Sequence, residues 1–165
     1  MIDPVKLKAE KRIKEEYRQI KVPVLNWSPP SVSLVNENDF FKWRAFLVGP
    51  KDTPYKGGLF IFMIEFPDDY PNHPPEIYFT TPIYHINVNP VKSNLPGGEP
   101  LGHISKSILK GWKPEYKILE LFTIIIEMLY KPDPKNSYGL DIAEEFNFNK
   151  PLYEEKVKYF TKKYA

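Results

Sequence analysis

Proline positions limit what this chain can fold into. There are 18 prolines against 8 glycines. Each proline ring fixes φ and deletes a backbone donor, so regular elements fit best between prolines. The intervening stretches are long and apolar, which points to rigid turns and extended joints around a packed core, not to disorder.

Residues 4–20 read as a helix, with Pro4 in the first turn and Asp3 as N-cap. Leu7, Ile13, Tyr17 and Ile20 approximate one apolar stripe, while Lys6, Lys8, Lys11, Arg12, Lys14 and Arg18 leave a basic face. On composition alone that face is solvated surface; the sharper reading is a docking surface for an acidic protein. Pro23, Pro29 and Pro30 end the helix. Val32-Ser33-Leu34-Val35 reads as a short strand, Asn36-Glu37-Asn38-Asp39 as a turn, and 40–48 as the return strand. In the return strand Phe41, Trp43, Ala45 and Leu47 share one face, opposite Lys42 and Arg44. Beyond Gly49-Pro50 and a loop closed by Gly57-Gly58, residues 59–66 form a third strand, apolar enough to be covered on both faces. Residues 67–75 are a proline-locked bend in which Tyr70-Pro71 suits a cis bond. Ile77-Tyr78-Phe79-Thr80 is a fourth strand.

Residues 116–130 read as a central helix buried on most sides. Leu119, Phe122, Ile126 and Leu129 recur at helical spacing, Ile118, Ile124 and Ile125 widen the apolar surface, and Pro132 and Pro134 end it. Residues 139–146 form a short amphipathic helix, and 151–164 a last one with Pro151 in its first turn. A helix, a meander of four strands and then helices is an α+β order. No internal repeat or linker divides the 165 residues, so a single domain over 1–165 is expected.

The net charge of +2 is too near neutral to point to nucleic acid. There is no cysteine, which excludes a disulfide, a thiolate metal site and a thiol nucleophile. Met1-Ile2-Asp3-Pro4 is unlike a signal peptide, and no apolar run is long enough to span a bilayer. A soluble intracellular protein is the expectation, with no membrane partner.

The polar, turn-rich loop between Tyr84 and Trp112 lies between the most apolar segments and holds His85 and His103. A loop of little packing value on a folded scaffold is where function tends to sit. His73, His85 and His103 match no zinc-ligand spacing, so neither a metal nor another cofactor is expected. His103 and Ser105 share one side of an extended backbone, but Gly-His-Ile-Ser-Lys is not a nucleophile elbow. Asn87 could donate to a developing oxyanion, although an Asn in a turn is more often a structural cap.

Several motifs together carry a resemblance. They are Phe41-Lys42-Trp43-Arg44-Ala45-Phe46-Leu47-Val48-Gly49-Pro50, Asp52-Thr53-Pro54-Tyr55-Lys56-Gly57-Gly58, Phe66-Pro67-Asp68-Asp69-Tyr70-Pro71-Asn72-His73-Pro74-Pro75 and Tyr84-His85-Ile86-Asn87. In this order and spacing the chain resembles the core of ubiquitin-conjugating enzymes over about residues 4–164. The resemblance implies an N-terminal helix, a four-stranded antiparallel meander, an active-site loop, a central helix and two C-terminal helices. It also implies a carrier reaction. An activating enzyme passes ubiquitin or a ubiquitin-like protein to a cysteine as a thioester, and the conjugating enzyme passes it on to a substrate lysine, usually with a ligase bound.

The family signature His-Pro-Asn falls on His85-Ile86-Asn87, where Ile86 replaces proline and loosens the backbone restraint. The resemblance implies that His85 organises the loop and that Asn87 stabilises the oxyanion or supports the loop. The pattern Gly-x-Ile-Cys-x-x-Ile-Leu, followed by Trp, falls on Gly102-His103-Ile104-Ser105-Lys106-Ser107-Ile108-Leu109 and Trp112. Ser105 therefore stands at the cysteine position. A serine needs a positioned base to attack, and an oxyester lacks the activation of a thioester. A serine introduced to trap the reaction and a natural non-catalytic variant are both open, the second reading the chain as a binding module for ubiquitin or for an active conjugating enzyme. His85 and Asn87 favour a lineage that was catalytic, while Lys106 and Ser107 stand where the family is often apolar and acidic. Asn136 falls where many members carry an acidic residue that helps deprotonate the attacking lysine; Asp133 or Asp141 are candidates to replace it. The loop 89–100 is longer than usual and reads as a tolerated insertion. By resemblance Lys6, Lys8, Lys11 and Arg12 would meet the activating enzyme. Ligases would meet the same helix, the bend carrying Asn72, and the turn carrying Trp112 and Pro114. A monomer in the cytoplasm or nucleus is the corresponding expectation.

Overall fold

The computed structural model describes residues 1–21, 29–90 and 101–165. Helix α1 (Pro4–Ile20) begins as its sequence requires: Pro4 takes the first turn, and the Asp3 carboxylate accepts the Val5 N–H at 2.9 Å. Strands β1 (Ser31–Asn36), β2 (Asp39–Val48), β3 (Leu59–Glu65) and β4 (Glu76–Phe79) follow. They form one antiparallel sheet in the order β1-β2-β3-β4. The bend before β4 holds Tyr70-Pro71 in cis. After a long loop come α2 (Ile118–Tyr130), α3 (Leu140–Phe148) and α4 (Lys150–Tyr164). The observed architecture is the expected α+β one, a helix, a four-stranded meander, a loop, a central helix and two terminal helices.

Alternation in β2 buries Trp43, Ala45 and Leu47 on one face. The same side of β3 contributes Phe60, Phe62 and Ile64, all fully buried. Helix α2 closes this core: Phe62 and Phe122 meet edge to face with ring centroids 6.0 Å apart. Helix α1 covers one end of the sheet through Tyr17, which packs on Phe40 and Trp43.

Several faces differ from the sequence reading. Leu7 is exposed, and α1 buries Ala9, Ile13, Glu16 and Ile20. Glu16 is inside because three donors meet its carboxylate: Ile118 N–H at 2.8 Å, the Tyr70 hydroxyl at 2.7 Å and Arg12 Nε at 3.0 Å. The buried face of α2 centres on Leu121, Phe122, Ile125, Met128 and Leu129, with Leu119 and Ile126 flanking it at partial exposure. That helix starts at Ile118, two residues later than its periodicity suggests. Residues 113–116 form a turn closed by Tyr116 N–H to Lys113 C=O, and the Glu120 carboxylate caps Lys117 N–H at 2.8 Å. Strand β3 is covered only in part on its second face, since Leu59 is exposed and Ile61 half-buried. Pro23 as a helix terminator and most of the 89–100 loop lie outside the described residues.

Candidate active site

Three stretches meet at the site. Residues 87–89 and 102–105 pair antiparallel: Asn89 N–H donates to His103 C=O at 2.9 Å, Gly102 N–H to Asn89 C=O at 3.0 Å, and Ser105 N–H to Asn87 C=O at 2.8 Å. The second stretch also pairs with β4, through Phe79 N–H to Gly102 C=O at 2.7 Å and Ile104 N–H to Ile77 C=O at 3.1 Å. The loop therefore hangs from the last strand of the sheet. Gly102 is needed for this. Its φ is +78°, and a Cβ there would sit 2.1 Å from Phe79 O.

Ser105 ends the pairing and precedes the 3₁₀ turn Lys106–Leu109. Ile104 and Leu109 are buried on either side and pin the turn, while Ser105 itself is partly exposed. Its hydroxyl does not cap the turn. Neither neighbouring histidine is turned towards it as a base. The His103 ring stacks on Tyr78 with centroids 4.8 Å apart, and its Nε2 lies 3.7 Å from Glu76 Oε2. His85 is buried with both ring nitrogens used: Nδ1 accepts Asn87 N–H at 2.9 Å, which leaves Nε2–H to donate to Met128 C=O at 2.9 Å. Burial pushes its pKa down to about 4, with the Met128 bond offsetting part of the shift, so the ring is neutral. It also stacks on Tyr55 at 5.8 Å.

Asn87 is fully buried. Its Nδ2 donates to Asp133 C=O at 2.7 Å and Asn136 C=O at 2.9 Å, and its Oδ1 accepts Asp133 N–H at 2.9 Å. Both amide hydrogens are spent on backbone, so of the two roles implied for Asn87 this geometry provides the loop support. The same bonds bring the 133–136 turn to the site. Asn136 Nδ2 donates to Asp133 Oδ2 at 2.6 Å, whereas Asp141 is exposed in the first turn of α3. Asp133 is thus the carboxylate beside Asn136.

The expected partner residues fall into two groups. Lys6, Lys8 and Lys11 are exposed on α1, with Lys6 3.3 Å from Asp68. Arg12 is turned inward: besides Glu16, it donates to Tyr116 C=O at 2.7 Å and lies 5.7 Å from the Tyr70 ring centroid. Trp112 Nε1 donates to Pro71 C=O at 2.8 Å, which ties the bend to the following turn, and Asn72 and Pro114 stay exposed on the two. Nothing in the sequence points to Tyr153. From α4 its hydroxyl accepts Ile86 N–H at 3.1 Å. Nor does anything in it point to the 133–136 backbone as the partner of Asn87. An aromatic in the last helix carries no signal of such a distant contact.

Comparison with known proteins gives the same answer from outside. The family model described as "Ubiquitin-conjugating enzyme" matches residues 12–161. The chain is 34% identical over 157 residues to "Ubiquitin conjugating enzyme E2 B" of Dictyostelium discoideum, covering 95% of this chain and 98% of that one. It is 35% identical over 159 residues to "Probable ubiquitin-conjugating enzyme E2 31" of Arabidopsis thaliana, covering 96% and 94%.

Proposed function

This chain belongs to the ubiquitin-conjugating enzyme family, and from that premise we propose that it is the acyl-carrier scaffold of a ubiquitin or ubiquitin-like transfer, with Ser105 in the place of the nucleophilic cysteine. The observation that carries this reading is the position of Ser105. It is partly exposed at the end of the 87–89/102–105 pairing, with its N–H on the carbonyl of Asn87. The residues around it support the reading: His85 and Asn87 spend their side chains on holding the loop, and Asp133 stands beside Asn136.

What the chain lacks is an activated nucleophile. A thiol near its ordinary pKa of about 8.5 has a useful thiolate fraction at neutral pH. A serine hydroxyl does not, and His85 and His103 are both engaged elsewhere. As written, the chain receives ubiquitin slowly or not at all, and any ester it forms resists attack by an amine. Lys6, Lys8 and Lys11, the bend at Asn72 and the turn at Pro114 are the surfaces offered to an activating enzyme and a ligase.

The test is Ser105→Cys incubated with activating enzyme, ATP and ubiquitin. We expect a ubiquitin adduct that reductant removes, absent from the unsubstituted chain. If neither ubiquitin nor a ubiquitin-like protein forms such an adduct, the carrier reading fails. A non-covalent complex with ubiquitin or with an active conjugating enzyme would then mark a binding module.

A further inference from the structure

The middle residue of the His85-Ile86-Asn87 segment creates a problem that a proline there would not. Ile86 is 0% exposed, so its N–H cannot reach water. A proline carries no N–H, whereas Ile86 brings a buried donor that needs an acceptor. The acceptor comes from α4, where the phenol oxygen of Tyr153, itself only 2% exposed, lies 3.1 Å from Ile86 N.

The phenol is held in turn. On the same segment, the Tyr55 hydroxyl donates to Tyr84 C=O at 3.0 Å. Phe146 meets Tyr153 edge to face at 5.0 Å and Tyr84 packs on it at 5.6 Å, which fixes the rotamer. The Ile86 carbonyl accepts Tyr138 N–H at 3.1 Å, so both polar groups of the Ile86 backbone are partnered.

We propose that Tyr153 is a positioning residue of the candidate site: its phenol oxygen accepts the Ile86 N–H that a proline would not carry, and so holds residues 84–87 in place of the proline ring. The requirement is conditional. Tyr153 Oη matters to the loop because residue 86 is not proline, and its importance falls if residue 86 becomes proline. The inference uses the family signature for the comparison with proline but not the transfer reaction, and it is tested without ubiquitin.

The experiment compares urea unfolding of the chain, Tyr153→Phe, Ile86→Pro and the double variant. Tyr153→Phe keeps the ring and strands the Ile86 donor, so it should raise the unfolding equilibrium constant ~10-fold or more. In the Ile86→Pro background the same change should cost less than ~3-fold, since no donor is left to strand. Equal losses in both backgrounds would overturn the proposal. If Ile86→Pro does not fold, amide exchange decides on Tyr153→Phe alone. The Ile86 amide should exchange ~10-fold faster or more relative to the Asn87 amide, which is bonded to His85 instead. Equal acceleration of both amides would show only general loosening and overturn the assignment.

Discussion

Asn87 shows how one side chain can join segments far apart in the chain. Its amide meets three backbone groups of the 133–136 turn across 46 and 49 positions, and no other described side chain joins that turn to the loop. Asn87→Ala removes the partner of Asp133 N–H and of Asn136 C=O, and leaves Asp133 C=O with Asn136 N–H alone. We expect a loss of ~2–4 kcal/mol in unfolding free energy, read as a shift of the urea midpoint at unchanged slope. In Ser105→Cys the same substitution would also release the 133–136 turn, and Asp133 with it, from its place beside the loop. Lysine discharge should then fall more than thioester formation does. Gly102 is the other residue without an easy substitute. Its positive φ and its closeness to Phe79 O exclude any Cβ, a need that the motif position implies but does not explain.

At the scale of elements, starts and stops were readable and faces less so. Asp3 and Pro4 announce α1, Pro151 announces α4, and both helices begin as those residues require, with Asn149 Oδ1 accepting Leu152 N–H at 3.4 Å in α4. The inward face of α1 differs from the apolar stripe at Leu7, which is exposed, and includes Glu16, which a stripe of apolar residues cannot pick out. Here donors from Tyr70, Arg12 and the first residue of α2 offset the cost of burying Glu16. The site divides along similar lines. His85, Asn87, Gly102 and Ser105 are legible because local spacing carries them. Tyr153 is not, because it meets Ile86 across 67 positions. Glu16 is the joint between α1 and α2, so Glu16→Ala should lower stability by ~3 kcal/mol. It should also raise amide exchange at Ile118 more than in β3.

For the molecule as a whole, the buried imidazole of His85 ties stability to pH. Its pKa is about 4 in the folded chain against an ordinary 6.5. Above 6.5 neither state binds the proton, and the full contribution is present. Between 6.5 and 4 the unfolded chain is protonated and the folded one is not, so stability falls with acid, by about 3 kcal/mol at pH 4. Urea melts from pH 7 to pH 4 should show this slope, and His85→Gln, which keeps one donor and one acceptor, should flatten it. A slope unchanged in that variant would assign acid sensitivity to other groups. The pairing of 87–89 with 102–105, which organises the site from backbone bonds, buried amides and one neutral imidazole, asks nothing of the Ser105 side chain. The bonds that shape this loop are therefore separate from whatever chemistry residue 105 carries. On the carrier reading, a single-codon change at position 105 alters the reactive atom and leaves these bonds in place, so common ancestry alone does not reveal which copies turn over.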